Sequence, residues 1–151
     1  MVGVGGINFY ARDSSEVAVT ADLDLLLPPR VDALRSTLAA LQRAGFAIEA
    51  GGEPFIDLED DSVLGRLIEL GASLTALGPE HAQIDLMLSL KGFRFDELAG
   101  DAERFRIGGV EIRVGRLEKL LRAKELSDRP KDREFLRLFA ARLRDDADGP
   151  D

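Results

Sequence analysis

The chain has 151 residues, of which 45% are hydrophobic and 32% are charged, and its formal net charge is −8 at pH 7. These values are typical of one globular domain that can bury a core, and they disfavour broad, nonspecific nucleic-acid binding. The absence of cysteine excludes disulfides and thiolate metal sites, and the single His81 argues against a histidine-based zinc site. A metal in this protein would therefore be held by oxygen atoms, which favours Mg²⁺ or Mn²⁺.

Two further features bear on the location of the protein. No apolar run approaches the roughly 20 residues of a membrane span. No basic residue precedes the first apolar stretch, as it would in a signal peptide. We therefore expect a cytoplasmic protein without a membrane partner.

The N-terminal residues 1–6 predict a short apolar strand that breaks at Gly5-Gly6, and residues 7–12 can open a helix. The glycine pair would then lie at a strand-to-helix turn, where free backbone N–H groups and the positive end of the helix dipole can receive a phosphate. A glycine pair is also typical of a tight turn that binds nothing. Both interpretations stay open at this point.

Residues 20–27 alternate and run into Pro28-Pro29, which predicts a strand that ends there. Thr20, Asp22 and Asp24 fall on one face of that strand, because side chains alternate with period 2. Two carboxylates at positions i and i+2 can converge on one hard cation, or on two cations about 4 Å apart. The alternative is an acidic strand face that is merely in contact with water.

Beyond residue 30 the pattern predicts helices at 31–44, 63–70, 116–126 and 131–144, and strands at 46–50, 72–77, 82–89, 104–107 and 110–114. Ser62 is the predicted cap of the second of these helices, after a solvated acidic loop at 59–61. Gly108-Gly109 is the predicted turn of a β-hairpin. The predicted domain covers residues 1–144, and residues 145–151 form a disordered acidic tail.

Asp85 interrupts an otherwise apolar strand, and a lone buried carboxylate is costly unless it is paired or bound to a metal. If its strand lies beside the strand of Asp22 and Asp24, about 4.8 Å away, the three acids form one cluster. Their repulsion would raise the pKa of at least one carboxyl, and a divalent cation would relieve it. Phosphoryl and nucleotidyl transfer require such a cluster. The alternative is a structural ion pair between Asp85 and Arg104 or Arg106, in a plain α/β domain without a site.

The charges are unevenly distributed along the chain. Residues 1–103 contain 7 Lys/Arg and 18 Asp/Glu, whereas residues 104–151 contain 13 Lys/Arg and 10 Asp/Glu. A basic C-terminal region that faces an acidic first part could hold a polyanion whose counter-ions lie on carboxylates. A pair of solvated amphipathic helices would show the same distribution.

The order of Gly5-Gly6, then Asp22-x-Asp24, then Asp85 on a later strand resembles the motif order of the minimal nucleotidyltransferase family in the polymerase-beta-like superfamily. A second similarity lies near the C-terminus, where a helix ending at Lys124 is followed by Arg129-Pro130-Lys131-Asp132. This pair of segments is similar to the Glu–Leu–Lys helix and the Arg-x-Lys-Asp turn of that family. In particular, the chain resembles bacterial members of the family from toxin–antitoxin and abortive-infection modules.

The resemblance implies an α/β (α+β) nucleotidyltransferase-like fold, in which a small mixed sheet is flanked by helices and followed by C-terminal helices. It implies that the three aspartates, Asp22, Asp24 and Asp85, are catalytic and bind the metal. The residues it implies for nucleotide binding are Gly5, Gly6, Thr20 and Lys124. It also implies that Asp132 supports Lys124.

The implied activity is the Mg²⁺- or Mn²⁺-dependent transfer of a nucleoside monophosphate from an NTP to a hydroxyl on a protein, an RNA or a small molecule. The alternative is a catalytically degenerate binding module with the same fold, such as a toxin–antitoxin component that acts through a protein partner or as a homodimer. Gly6 stands where many active members have a phosphate-binding serine, and Ala18 stands where relatives often have an arginine. Both departures favour the alternative.

Overall fold

The protein is built on a five-stranded mixed sheet. The computed structural model describes the backbone of residues 1–147 and the side chains of residues 1–140. The strands are β1 (Asp22–Leu26), β2 (Ala47–Ala50), β3 (Glu53–Pro54), β4 (Ser73–Leu77) and β5 (Gln83–Met87). Their order across the sheet is β1-β5-β4-β2-β3, in which β1 and β5 run parallel and the other neighbouring pairs are antiparallel. The strands that were predicted to carry the acidic cluster are therefore direct neighbours.

A separate hairpin, six α-helices and two short 3-10 helices (Ser14–Glu16 and Pro79–His81) complete the fold of residues 1–147. The hairpin consists of β6 (Glu103–Ile107) and β7 (Val110–Val114), and both glycines of its predicted turn have positive φ. The α-helices are α1 (Gly3–Asn8), α2 (Val31–Arg43), α3 (Asp61–Glu69), α4 (Phe95–Ala99), α5 (Leu117–Ser127) and α6 (Pro130–Ala147). The predicted α/β class, with a small mixed sheet and C-terminal helices, is confirmed. Among the described residues, no helix combines the length and hydropathy that a membrane span requires.

The sheet separates two hydrophobic cores. On one face, α2 and α3 pack on the sheet through side chains that include Leu34, Leu38, Leu64 and Leu86, which are at most 1% exposed. On the other face, the second core joins the N-terminal residues to the hairpin, α4 and α5; its buried members are Val2, Ile7, Leu98, Val114 and Leu120. The period-2 alternation of β1 and β5 supplies both cores from the same two strands.

Two local predictions are wrong, and the last helix runs beyond its predicted end. Residues 1–6 form no strand of their own: Val2 makes a single bridge to Asp24, and α1 begins at the next residue. Gly3 permits this change of direction because its φ is +66°, which a residue with a Cβ rarely adopts. The cap of α3 is Asp60, whose Oδ1 accepts the N–H groups of Ser62 and Val63, so the acidic run 59–61 is in part the start of a helix. The last helix continues to Ala147, and residues 148–151 of the predicted tail lie outside the described residues.

Candidate active site

The three predicted aspartates converge on one face of the sheet. Asp24 on β1 is the register partner of Asp85 on β5, and Asp22 lies two residues earlier on the same face as Asp24. Each residue offers a carboxylate oxygen, and these three oxygens lie within 4.8 Å of one another. This spacing is compatible with shared coordination of divalent cations by oxygen ligands.

Neighbouring side chains hold two of the three carboxylates. Thr20 donates its hydroxyl to Asp22 Oδ1 at 3.0 Å, so the predicted nucleotide-binding threonine contacts an aspartate directly. Asp85 Oδ1 accepts hydrogen bonds from Thr75 Oγ1 at 3.2 Å and from Gln83 Nε2 at 3.1 Å. Thr75 and Gln83 had no role in the sequence prediction. Only the strand register shows that Thr75 is opposite Asp85, whereas the period-2 alternation already places Gln83 on the same face as Asp85.

The electrostatics of the cluster match a set of carboxylates that repel one another. Burial raises the pKa of Asp24, and the charges of Asp22 and Asp85 raise it further. Burial also raises the pKa of Asp85, which shares a hydrogen bond with Asp22; the same bond lowers the pKa of Asp22. The metal-free cluster therefore tends to retain a proton on Asp85 or Asp24, as expected for closely spaced acids.

The proposed ion pair of Asp85 with an arginine is wrong. Asp85 is hydrogen-bonded by Thr75 and Gln83, and Arg104 lies 3.8 Å from Glu111 on the separate hairpin. The hairpin belongs to its own two-stranded sheet rather than to the sheet that carries Asp85. A structural ion pair therefore does not explain why this strand contains a carboxylate.

The predicted phosphate-binding glycines do not lie at a turn. Gly5 and Gly6 are buried inside α1, and Gly6 donates its N–H to Val2 O at 3.1 Å. A Cβ on Gly6 would lie 3.2 Å from Leu120 Cδ1, so this glycine permits α5 to pack closely on α1. Gly3 instead makes the close approach to the cluster, because a Cβ there would overlap the Asp24 carboxylate. The close packing of α5 on α1 therefore accounts for a glycine at position 6.

The aspartates line a cleft of about 890 Å³ that lies between the sheet and the two C-terminal helices. The helix side contributes cationic, polar and aromatic residues, namely Lys124, Ser127, Arg129, Lys131 and Phe135. The charge of Lys131 contributes to the lowered pKa of Asp22 and opposes part of the rise in the pKa of Asp24. The cleft thus places anionic and cationic groups on facing walls, as the uneven charge distribution along the chain suggested.

Asp132 fixes the position of Lys124. It is 1% exposed, and its carboxylate accepts hydrogen bonds from Lys124 Nζ at 3.0 Å, Ser127 Oγ at 2.6 Å and Arg129 Nε at 2.6 Å. Burial alone would raise the pKa of Asp132, but the three donors outweigh burial and hold this pKa well below its usual range. The Lys124 ammonium also lies 5.0 Å from the centre of the Phe135 ring.

The Arg-x-Lys-Asp turn was the sequence signal for this cluster. Asp128 ends α5 in the left-handed conformation, and α6 begins at Pro130, so the chain turns back and brings Asp132 against Lys124. The participation of Ser127 was missed, because its contact depends on this turn and has no signature in the sequence.

A comparison of the sequence with models of known protein families assigns the chain to a family. The model of a family described as nucleotidyl transferase of unknown function (DUF2204) matches residues 71–147, which is just over half of the chain. The chain belongs to this family. The matched segment includes Asp85, Lys124 and Asp132, whereas Asp22 and Asp24 precede it. The resemblance to minimal nucleotidyltransferases is consistent with this assignment. No match to the chain was found among curated proteins or among solved structures.

Proposed function

We propose that this member of the nucleotidyl transferase family transfers a nucleoside monophosphate from an NTP to a hydroxyl acceptor, in a reaction that depends on a divalent metal ion. The observation that carries the proposal is the convergence of Asp22, Asp24 and Asp85 in a cleft whose facing wall holds Lys124 and Lys131. A triphosphate and its counter-ions need this combination of carboxylates and cations. The acceptor class is a protein, an RNA or a small molecule.

The residues of the cluster fit Mg²⁺ or Mn²⁺. All three candidate ligands are carboxylates, which are the ligands that these cations prefer. Burial and mutual repulsion raise the pKa of Asp24 and Asp85, so a bound cation would relieve an unfavourable arrangement. When bound, the ion supplies a Lewis acid that neutralises phosphate charge and lowers the pKa of the attacking hydroxyl.

Side chains of the protein accept the proton and neutralise phosphate charge in the transfer reaction. The acceptor oxygen attacks the α-phosphorus, the bond from that phosphorus to the bridging oxygen of the β-phosphate breaks, and pyrophosphate leaves. Asp85 accepts the proton of the acceptor hydroxyl or holds the ion that activates this hydroxyl; burial raises the pKa of Asp85, and two donors hold its carboxylate in place. Lys124, which Asp132 positions, neutralises charge on the departing phosphates.

The alternative is a binding module, for example a toxin–antitoxin component. The two departures that favoured it lose weight, because neither Gly6 nor Ala18 is among the residues that line the cleft. One observation still favours a protein partner or a homodimer: Ile107 and Val110 flank the hairpin turn and are 57% and 63% exposed. This surface is compatible with an active enzyme that also binds a partner.

A label-transfer assay tests the proposal. Each of the four NTPs, labelled at the α-phosphate, is incubated with the protein, Mg²⁺ or Mn²⁺, and pools of protein, RNA or small hydroxyl compounds. We expect one acceptor pool to become labelled, chelator to abolish the labelling, and Asp22→Asn/Asp24→Asn to abolish it as well. Asp57→Asn is the matched control, because Asp57 is exposed and does not line the cleft. Labelling that persists in the double variant, or none with any nucleotide and pool, would contradict the proposal.

A further inference from the structure

Asp85 differs from the other two aspartates in the number of its hydrogen-bond donors. Thr75 and Gln83 both donate to the same oxygen, Oδ1, at 3.2 and 3.1 Å. Neither of these donors contacts Oδ2, and the bond that Asp85 shares with Asp22 links it to the rest of the cluster. A carboxylate with two donors on one oxygen has fewer accessible rotamers than one that is held only by its backbone.

The strand register explains where the two donors come from. Asp85 lies between Asp24 on β1 and Thr75 on β4, each of which is its direct register partner. Gln83 lies two residues before Asp85 on β5 and therefore projects from the same face. Asp85 thus faces a like charge on one side and a hydroxyl on the other. All of these residues are on regular strands, which fix their spacing more tightly than loops would.

A similar arrangement occurs at Asp22, where the donor is also the residue two positions earlier, Thr20. The carboxylates of Asp22 and Asp85 are therefore each held by a side chain at position i−2. Asp85 has an additional donor, Thr75, from the neighbouring strand.

We propose that Thr75 and Gln83 are positioning residues that hold the Asp85 carboxylate so that it can complete the divalent-cation site. This inference rests on the proposed function. The two donors stabilise the ionised carboxylate and oppose the repulsion that would turn it away from Asp24. Hydrogen-bond partners of metal ligands typically change metal affinity by 10- to 100-fold when they are removed.

The test is Mn²⁺ affinity, measured from the electron paramagnetic resonance signal of free Mn²⁺ during titration of the whole chain. Thr75→Val and Gln83→Met remove each donor with little change in volume, and the double variant removes both. We expect about 10-fold weaker binding in the double variant, and retention of wild-type affinity in Thr75→Ser, which keeps the hydroxyl. Thr37→Val and Gln42→Met on α2 are the matched controls and should bind Mn²⁺ as the wild type does.

The metal-free thermal unfolding of every variant separates positioning from folding. Valine is favoured in strands, so Thr75→Val should unfold within a few degrees of the wild type. If the folded Thr75→Val/Gln83→Met variant binds Mn²⁺ as tightly as the wild type, the positioning role is wrong and the proposed function stands. If the wild type binds Mn²⁺ no better than Asp22→Asn/Asp24→Asn, the proposed function fails, and the positioning role fails with it.

Discussion

At the residue scale, Asp132 is the acidic side chain that is most deeply buried among residues 1–140. Replacing it with alanine would leave Lys124, whose side chain is only 11% exposed, without its carboxylate partner. Breaking a buried pair in this way destabilises proteins by about 3 kcal/mol or more. We expect a loss of this size for Asp132→Ala at pH 7, measured by urea unfolding.

Glu134→Ala on the same helix is the control, because its pair with Arg137 is largely exposed and should contribute far less to stability than the buried pair. Because the pKa of Asp132 is lowered on folding, its stabilisation is present above the usual aspartate range and is lost as the pH falls below about 4. The difference between wild type and Asp132→Ala should shrink over that range. Equal destabilisation by the two variants at pH 7 would show that the buried cluster contributes little.

Asp24 provides the opposite pH dependence. Burial and the neighbouring carboxylates raise its pKa, so its charge destabilises the folded metal-free protein above the usual aspartate pKa. We expect Asp24→Asn to raise the unfolding temperature in chelator at pH 7, and this gain to shrink as the pH falls through the raised pKa of Asp24 towards the usual aspartate pKa of about 4. Asp57→Asn, at an exposed position, should change the unfolding temperature little at either pH. A lower unfolding temperature for Asp24→Asn at pH 7 would mean that the carboxylate supports the fold.

At the element scale, the first residue of α1, Gly3, lies directly against Asp24 of the acidic cluster. Gly3 and Gly51 have similar φ values, +66° and +59°, but a Cβ on Gly3 would overlap Asp24 Oδ2, whereas a Cβ on Gly51 would have no heavy atom within 4 Å. Both alanine variants carry the cost of a left-handed residue, about 1 kcal/mol. We expect only Gly3→Ala to lose stability beyond this cost, as thermal unfolding would show. We also expect only Gly3→Ala to weaken Mn²⁺ binding, as calorimetric titration would show. Matching Mn²⁺ affinities in the two variants would contradict the role of Gly3 in placing Asp24.

Sequence patterns predicted those elements whose faces differ in polarity. The alternation of polar and apolar residues in β1 and β5 correctly predicted that Asp22, Asp24 and Asp85 share one face of the sheet. The pattern is informative because the opposite face of each strand must be apolar to pack beneath α2 and α3. The same reasoning wrongly predicted a strand at residues 1–6. Their apolar, glycine-rich composition is typical of a strand, yet Val2 contributes only one bridge to Asp24. That outcome depends on a contact with β1 that no local pattern contains.

At the scale of the whole molecule, the cleft is formed by parts that are distant in sequence. The acidic wall comes from residues 22–85, and the cationic wall comes from the turn between α5 and α6. Composition alone predicted that the two regions differ in charge, and the fold shows that they face each other across one site. The contacts of Asp85 with Thr75 and of Asp132 with Ser127 could not be predicted, because they depend on strand register and on the α5–α6 turn.

The most direct test of a metal-dependent nucleotide site needs no knowledge of the acceptor. Thermal unfolding is measured with each of the four NTPs, with and without Mg²⁺ or Mn²⁺, for the wild type and for Asp22→Asn/Asp24→Asn. Ligand at about 100 times its dissociation constant stabilises a protein by about 2.7 kcal/mol, which raises the unfolding temperature by several degrees. We predict such a rise with at least one NTP, only when the metal is present and only in the wild type. An unfolding temperature that no combination of NTP and metal changes, or an equal rise in the double variant, would contradict the assignment of the site.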